Sequence, residues 1–380
     1  MKSLIKPIRI LYLTSPVGAL GSGEGGGVET TLMNLTPVLA RRGHTVGIVA
    51  PAGSQQPSPD VKVHQVVGKF PQYATTATRD AQTVSQSEGV LERMWETALK
   101  VQDDYDVIIG INYDWLAYYL TPFFSTPVAH MISLGSQIDE IDKIIEKRYR
   151  QYPQRFAVNA RAQATTFSFM NPYRVMSLYG GLDLSKYYYN ASPANRLSWV
   201  ARISPEKGLE DAFAVAQRLN MPLDVCGKMQ YQSYWDDVVA RYPDVDVTYH
   251  GFLNQYDLHL VVGNTKAMLM THHWIEAFGN TCMEALACGT PVITYDVGGP
   301  TEMVEDGVSG YLVPHKNVDA LVDAVRRVDQ LSRKEVRMRG ETFTLDCMAE
   351  RYERWIQRIL CDCEDVNEDM QLATMMPCSG

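Results

Sequence analysis

Short apolar runs alternate along the chain with segments whose hydrophobic residues recur at helical spacing. The first run, IRILYLT, precedes a glycine-rich segment; Leu32, Leu35 and Leu39 then mark the apolar face of a helix, and the run HTVGIVA follows. This order predicts a βαβ unit and hence a parallel sheet. Pro37 lies inside the helical segment, where we expect a kink or a break because proline has no backbone N–H.

The alternation continues along the chain, and its opening form returns once, near Asn195, as a strand, a glycine-bearing loop and a helix. At 380 residues the chain exceeds the size at which single cores tend to divide. We therefore predict an α/β protein with two domains, residues 1–188 and 189–344. The remaining predicted elements are helices at LERMWETAL, IDEIDKIIEKRYRQY, LEDAFAVAQRL and VDALVDAVRRVDQL, and strands at DVIIGI, TPVAHMIS, RFAVNA, RVMSLYGG, NRLSWVA, PLDVCG, VTYHGFL, KAMLMT, PVITYD and GYLVP. Residues 361–380 are acidic and lack a period, which predicts disorder.

Composition narrows the classes of function. The chain carries 35 basic and 44 acidic residues, a formal charge of -9, with no basic block, so a nucleic acid is not expected as a partner. No apolar run reaches the roughly 18 residues of a membrane helix. The start is too soon interrupted, by Pro7 and Arg9, for a signal peptide. Seven scattered cysteines without a C-x-x-C pair predict reduced thiols, no zinc site and a cytoplasmic location.

The carboxyl ends of parallel strands are where such sheets bind ligands, and two facing sheets would line one cleft. The loop from Gly18 to Thr30 lies at such an end and leads into a helix N-terminus, which suits a phosphate or a sugar close to the backbone. It has neither the spacing of a dinucleotide fingerprint nor the G-K-[ST] of a P-loop. The alternative is a flexible solvent loop.

Two cations follow a later strand, in ARISPEKG. Arg202 offers a planar fork and Lys207 a point charge, and five residues across a proline turn would let them clamp a diphosphate. Surface arginines and lysines are common, so a solvated pair is the alternative.

The stretch HHWIEAFGNTCMEALACGTPVI places two acids on either side of a small turn. We expect a helix from Asn280 or Thr281 to Cys288, with Gly289 and Pro291 as stop signals. Its N-terminus favours an anion, whereas the flanking acids are suited to hydroxyl groups. An anion flanked by polyols describes a nucleotide sugar. The acids are Glu276 and Glu284, and the alternative is that both are solvated surface residues.

These motifs, with GGGVET and YGGLDLSKY, resemble glycosyltransferase family 4, whose members are retaining enzymes of the GT-B fold. The match spans residues 8 to 360. The resemblance implies two Rossmann-like domains facing across a cleft, the first completed by a C-terminal helix at about 345–360. It also implies that Glu276 contacts donor sugar hydroxyls and Glu284 the ribose. The remaining implied roles fall to Arg202 and Lys207 at the diphosphate, to the amides of Gly26, Gly27, Phe278, Gly279, Asn280 and Thr281 at the sugar and phosphate, and to His130 beside the sugar. Taken alone, His130 would be interpreted as a buried structural histidine.

Two stretches in the first domain, TSPVGALGSGEGGGVE and YDWLAYYLTPFFSTPVAH, resemble more narrowly the UDP-glucose:tetrahydrobiopterin glucosyltransferases. That resemblance implies UDP-glucose as donor and a reduced pterin as acceptor. Asp114 or Asp139 would face the amino-pyrimidine edge. An aromatic side chain would stack on the ring, and the candidates are Tyr73, Tyr113, Trp115, Tyr118 and Tyr119. For Tyr118 and Tyr119 a place in the core is the favoured interpretation. The polar segment 69–88 is expected to be a binding loop.

Other classes remain open. A non-catalytic nucleotide-sugar-binding protein would keep the phosphate loops without needing Glu276 and His130. A metal-dependent transferase would use a D-x-D sequence, and DYD and DVD fit those letters, but both are interpreted as surface turns. No metal is therefore expected, because two cations and a helix N-terminus would already serve the diphosphate. A GT-B phosphorylase would carry pyridoxal phosphate on a lysine, but the sequence does not identify such a lysine, and no other cofactor is expected. The sequence does not indicate an oligomeric state.

Overall fold

The computed structural model describes residues 6–71, 78–82 and 88–361. The chain divides into two compact units, of which unit 1 comprises residues 1–181 and 344–380 and unit 2 comprises residues 182–343. Tyr73, most of the predicted binding loop and the tail predicted to be disordered, apart from Cys361, lie outside the described residues. In the part of the chain that is described, no helix has the length and apolar character needed to cross a bilayer.

Unit 1 is built on a sheet of seven parallel strands, ordered β3-β2-β1-β4-β5-β6-β7. The strands are β1 Arg9–Leu13, β2 Thr45–Pro51, β3 Val61–Val66, β4 Val107–Asn112, β5 Val128–Ile132, β6 Phe156–Val158 and β7 Met176–Ser177. Every residue of β4 and β5 is buried, as expected for central strands covered on both faces. The parallel βαβ arrangement predicted from the alternating pattern is confirmed.

Helices cover both faces of this sheet. They are α1 Gly26–Arg41, α2 Val90–Val101, α3 Trp115–Leu120, α4 Asp139–Gln151, α5 Arg161–Ala164 and, from the end of the chain, α13 Leu345–Cys361. Helices α1 and α13 share a core in which Leu32, Leu35 and Leu39 meet Tyr352 and Trp355. The break expected in α1 at the proline does not occur: the helix continues through Pro37 and is 16 residues long.

A buried ion pair fastens α13 to the end of α1. Glu353 is fully buried, and its two carboxylate oxygens accept hydrogen bonds from Arg42 at 2.9 and 3.0 Å. His44 contributes a further bond at 2.9 Å. Such a pair is costly to break, because a single remaining partner would be an uncompensated buried charge. The C-terminal helix is therefore an integral part of unit 1.

Unit 2 has a sheet of six parallel strands, ordered β10-β9-β8-β11-β12-β13. The strands are β8 Ala194–Val200, β9 Leu223–Cys226, β10 Val247–Gly251, β11 Thr265–Met270, β12 Val292–Tyr295 and β13 Gly310–Val313. The helices are α6 Leu209–Leu219, α7 Gln232–Arg241, α8 Gln255–Gly263, α9 Asn280–Ala287, α10 Pro300–Met303, α11 Val318–Arg327 and α12 Arg333–Gly340. Both units thus have the α/β organisation that the sequence predicts.

Several elements were not predicted, and α12 shows why. Its sequence, RKEVRMRG, has almost no apolar face, and its buried side chain is Val336. The helix is held instead by Arg333, which donates hydrogen bonds to the carbonyl groups of Asn190, Gly263 and Thr265 at 2.7 to 3.0 Å. A hydrophobic period cannot reveal a helix that is anchored by side chain to backbone bonds.

Candidate active site

Lys207 is placed by a short turn at the carboxyl end of β8. Residues Pro205–Lys207 form one 3-10 turn, and Gly208 follows with a φ of 66°. A side chain at Gly208 would collide with the carbonyl of Thr271, which follows β11. Glycine therefore allows the turn to lie against the end of the neighbouring strand. The Lys207 Nζ contacts the carboxylate oxygen Oε2 of Glu276.

Glu276 is ionised and held by two donors. Its Oε2 accepts a hydrogen bond from Trp274 Nε1 at 3.1 Å, and the Lys207 ammonium lies 4.6 Å from the centre of the Trp274 ring. Burial is the largest single influence and acts to raise the pKa of Glu276, but nearby positive charge, chiefly that of Lys207, and the hydrogen bonds from Lys207 and Trp274 together hold the pKa below its usual value. The lysine and glutamate side chains are only 13% and 16% exposed. A poorly hydrated, oriented ion pair therefore lies at the strand ends of unit 2.

Arg202, which follows β8, has different partners. Its guanidinium donates to Gln230 Oε1 at 2.7 Å and to Glu206 Oε1 at 3.3 Å. Glu206 also accepts a bond from Ser204 at 2.7 Å. Arg202 remains about one third exposed. Lys207 belongs to the turn and Arg202 bonds to Glu206 of the same turn, yet Lys207 and not Arg202 contacts Glu276.

The turn before α9 is shaped by glycines on two segments. Gly279 has a φ of 96° and occupies the N-cap position, so the predicted helix start near Asn280 is confirmed, but no side chain caps the helix. Gly298 and Gly299 lie against this turn, and a side chain at either would press on the backbone of Glu276 or Phe278. The Gly299 amide donates to the Glu276 carbonyl at 2.8 Å. The segment Gly298–Gly299 therefore holds the loop that carries Glu276 in place.

Helix α9 offers both an amide terminus and a second acid. The first amides of a helix have no partner within it, so those of Asn280 and Thr281 are available to an anion. Glu284, one turn further, is 9% exposed, and burial raises its pKa to about 7. The structure describes no side chain or backbone group that hydrogen-bonds its carboxyl. The interpretation of Glu276 and Glu284 as solvated surface acids does not hold.

Two adjacent histidines in the same loop were not singled out by the sequence. His273 Nε2 lies 2.7 Å from Asp211 Oδ2, and this bond raises the pKa of the imidazole. Tyr295 donates to the same oxygen at 2.6 Å. His272 is buried against the carbonyl of Val297. The signal that could have revealed them is their place directly after a buried strand.

The glycine-rich loop of unit 1 is ordered by an acid of its own. Glu29, in the first turn of α1, is buried and accepts hydrogen bonds from the amides of Gly23 and Gly25, both at 2.9 Å. Gly26, the first residue of α1, has a φ of 55°. The amides of Gly26 and Gly27 stand at the N-terminus of α1, where an anion is favoured. A flexible solvent loop, the alternative interpretation, does not fit this bonding.

His130 does not lie at a strand end, and its predicted place beside a sugar is wrong. It lies in the middle of β5, with its side chain fully buried. Its Nε2 is 2.7 Å from Thr121 Oγ1, and its ring packs at 4.5 and 5.4 Å from those of Tyr118 and Phe156. Burial lowers the pKa of His130 to about 3. It is a neutral core residue, as the residue taken alone had indicated.

Two of the three acceptor candidates are already engaged within unit 1. The Tyr113 hydroxyl accepts from the amides of Gln137 and Ile138 at 2.8 and 2.9 Å and donates to Asp142 at 2.8 Å. Its ring is buried, so it cannot stack on a ligand. Asp139 forms an ion pair of 2.9 Å with Arg79. The prediction that Tyr113 stacks on an acceptor is therefore contradicted, whereas the acceptor contact of Asp139, whose side chain is 53% exposed, stays a prediction.

The third candidate, Asp114, is partly engaged. One oxygen caps α3 by accepting from the Ala117 amide at 2.8 Å, whereas Oδ2 is buried and has no hydrogen-bond partner in the described structure. Burial raises the pKa of Asp114 to about 6. Among the nearby aromatic residues, Tyr118 is fully buried as favoured, but Tyr119 is 41% exposed and stacks on Trp115 at 4.6 Å.

Neither D-x-D sequence forms a metal site. Asp106 pairs with Arg9 at 2.6 Å, and Asp244 and Asp246 are exposed before β10. Over residues 6–71, 78–82 and 88–361, no three His, Cys, Asp or Glu residues are grouped so that they could hold a metal ion. The expectation that no metal is required remains a prediction.

Known proteins identify the class. A model described as Glycosyltransferase Family 4 matches residues 25–165, and one described as Glycosyl transferases group 1 matches residues 190–342. Together they cover more than three quarters of the chain. The chain therefore belongs to the glycosyltransferases of the GT-B fold, with a family 4 domain followed by a group 1 domain.

The individual relatives are distant. D-inositol 3-phosphate glycosyltransferase from Kribbella flavida is 24% identical over 83% of this chain and 85% of its own length. Glycogen synthase from Mycobacterium tuberculosis is 25% identical over 57% of this chain, and the match spans 58% of that protein.

Two solved structures share the fold at low identity. Sucrose-phosphate synthase from Thermosynechococcus elongatus has a TM-score of 0.74 at 18% identity, over 94% of this chain and all of the other. HepE from Anabaena, in complex with UDP and glucose, has a TM-score of 0.71 at 17% identity, over 92% of this chain and 99% of the other.

Proposed function

We propose that the protein transfers a sugar from a nucleoside diphosphate sugar to an acceptor hydroxyl group. The observation that carries this proposal is the Lys207–Glu276 ion pair, held by Trp274 beside the amide terminus of α9. A cation and free amides suit a diphosphate, and carboxylates suit hydroxyl groups. The free carboxyl of Glu284 adds a second acceptor for hydroxyl groups, as a ribose would require.

The proposed donor is UDP-glucose and the proposed course is retention. The acceptor hydroxyl attacks the anomeric carbon from the side of the leaving group, the bond to the diphosphate breaks, and a diphosphate oxygen takes the proton. Lys207 and Arg202 stabilise the charge that grows on the leaving phosphate. Support comes from the family 4 domain and from HepE, whose structure holds UDP and glucose. An α-glucoside, seen by proton NMR, is the expected product, and a β-glucoside would overturn retention.

The proposed acceptor is the side-chain hydroxyl of tetrahydrobiopterin. What supports it is a pair of polar residues at the carboxyl end of β4, where Asn112 is the last residue of the strand and Asp114 follows two positions later. The side-chain amide of Asn112 is 3% exposed with neither atom hydrogen-bonded in the described structure, and Asp114 Oδ2 is likewise unpartnered. An amide and a carboxyl together suit a heterocycle that presents donors and an acceptor on one edge. Another small molecule or a sugar is the alternative acceptor, which the D-inositol 3-phosphate relatives favour.

The deciding experiment measures UDP release from UDP-glucose with tetrahydrobiopterin, D-inositol 3-phosphate, a flavonoid, glycerate and glucose offered in turn. Release with tetrahydrobiopterin alone is expected. Release with another acceptor but not with the pterin would remove the pterin and leave sugar transfer intact.

A non-catalytic nucleotide-sugar-binding protein is the rival of another class. It would bind UDP-glucose and release no UDP with any acceptor. If the protein is an enzyme, Glu276→Gln should retain UDP binding and lose most turnover. Activity is also expected to survive exhaustive EDTA treatment. Loss of activity that magnesium or manganese restores would contradict a metal-independent reaction.

A further inference from the structure

His272 is the feature of unit 2 that the proposed reaction leaves unexplained. It follows β11 directly, precedes Glu276 by four residues and is only 2% exposed. Buried polar atoms in folded proteins nearly always have hydrogen-bond partners, so an exception calls for an explanation. In His272 one ring nitrogen is such an exception.

The bond to Val297 fixes which nitrogen carries the proton. Nε2 of His272 lies 3.0 Å from the carbonyl oxygen of Val297, and a carbonyl only accepts. Nε2 is therefore the protonated nitrogen, and Nδ1 presents a lone pair. Nδ1 is buried and no described group donates to it. Burial lowers the pKa of His272, so the ring is neutral at pH 7.

The surroundings of the ring are those of the candidate active site. The charges of Glu276 and Lys207 act on it in opposite directions. Val297 immediately precedes Gly298 and Gly299, the two glycines that fasten the Glu276 loop. One packed assembly thus orients both the imidazole and the carboxylate. The unprotonated nitrogen of a neutral imidazole accepts a hydrogen bond but donates none, so a hydroxyl group is a suitable partner for it.

We propose that His272 is a donor-sugar specificity residue, whose Nδ1 accepts a hydrogen bond from one hydroxyl group of the transferred sugar. This inference rests on the proposed function of the same site. Glu276 and His272 would then supply acceptors of different charge to different hydroxyls. The nucleotide makes no contact with Nδ1, so the effect of His272 appears only when the sugar is present.

Other buried histidines provide the comparison. His130 and His259 also have one unpaired ring nitrogen. His130 is enclosed by aromatic rings, and His259 stacks on Tyr187 at 3.9 Å with its Nδ1 3.3 Å from the carbonyl of Lys186. Neither lies in the segment His272–Thr281 that carries the candidate site. Their rings are therefore matched controls for burial without the proposed contact.

The test uses two substitutions that separate the ring nitrogens. His272→Gln places an amide donor where Nε2 lies and so can keep the bond to Val297, but it removes the Nδ1 acceptor. His272→Asn places an acceptor near the Nδ1 position. The matched control is His259→Asn, which can keep the bond to Lys186 and removes the unpaired nitrogen there.

Calorimetry on the full chain measures binding of UDP and of UDP-sugars, including UDP-glucose and its mono-deoxy analogues, without requiring turnover. In His272→Gln we expect UDP affinity unchanged and affinity for the preferred UDP-sugar lowered about tenfold or more, the effect of one lost bond. Wild type should discriminate against one deoxy analogue, and His272→Gln should not. His272→Asn should recover part of the loss, and His259→Asn should bind like wild type.

Two results would overturn the proposal in distinguishable ways. If His272→Gln keeps the full preference for UDP-sugar over UDP, Nδ1 has no sugar partner although the proposed function stands. If wild type binds no UDP-sugar more tightly than UDP, the proposed donor falls and the inference falls with it.

Discussion

Polar side chains at the carboxyl ends of the two parallel sheets differ in how far they are engaged by partners within their own unit. In unit 2, Lys207 and Glu276 face each other as an oriented pair, and the Glu284 carboxyl has no described partner. In unit 1, the Tyr113 hydroxyl has its hydrogen-bonding capacity filled and Asp139 is neutralised by Arg79. At the same kind of sheet edge, polar side chains thus remain available to a ligand in unit 2, whereas in unit 1 most of them are engaged in structural hydrogen bonds or ion pairs.

The difference follows from how each set of residues is assembled. In unit 2, the acids and the amide terminus come from one continuous segment, His272–Thr281 with Glu284, so their spacing along the chain constrains their spacing in space. In unit 1, the candidates come from separate elements, and the partners of Tyr113 and Asp139 are distant in sequence. Residue type alone could not distinguish a ligand contact from a structural bond there.

The strongest test of the contrast is Lys207→Ala. Loss of this cation should lower the catalytic rate by roughly 10²-fold or more, the scale for losing one group that stabilises developing charge. The matched control is Lys266→Ala, which removes a lysine of β11 that pairs with Asp329 at 2.7 Å. Steady-state rates of UDP release would check both. Near-normal turnover of Lys207→Ala would remove this lysine from the mechanism.

Glu284→Gln should show how much the buried, unpaired carboxyl of unit 2 destabilises the fold when it is ionised. Because burial raises the folded pKa to about 7, stability is lost as the pH rises from the usual carboxyl value to about 7. The unfolding free energy of the variant, relative to that of wild type, should therefore rise by about 2–3 kcal/mol between pH 5 and pH 8. Urea unfolding at both pH values measures this, and calorimetry should show weaker UDP binding. A pH-independent difference would contradict the raised pKa.

His130→Gln tests the interior of unit 1. The folded pKa of His130 is depressed to about 3, so its stabilising effect is present above pH 6.5 and is lost as the pH falls toward 3. Glutamine can keep a bond to Thr121 and does not titrate. When the pH falls from 7 to 5, the unfolding free energy of wild type should decrease by about 2 kcal/mol more than that of the variant. Unchanged KM for the nucleotide sugar is expected, and a selective rise in that KM would restore His130 to the active site.

Tyr113→Phe should have the smallest effect and a purely structural one. The hydroxyl orients the start of α4 through Gln137, Ile138 and Asp142, and its loss should cost about 1 kcal/mol of unfolding free energy. The KM for the acceptor should not change. The measurements are urea unfolding and acceptor titration. A large rise in acceptor KM at unaltered stability would mean that Tyr113 contacts the acceptor after all.

The sequence by itself determined the α/β class, the repeated strand and helix order, and the two segments that carry the candidate site, one with Arg202 and Lys207 and one with Glu276 and Glu284. These features are local, because hydrophobic periodicity and glycine turns act over a few residues. It even indicated that His130, taken alone, is a core residue. Tertiary structure decided which polar groups remain available. Lys207 contacts Glu276, which is 69 positions away in the sequence, and His272 is oriented by Val297. Glu29 accepts hydrogen bonds from two amides of its own loop. Whether a side chain is free or engaged depends on partners that only folding brings within hydrogen-bond distance.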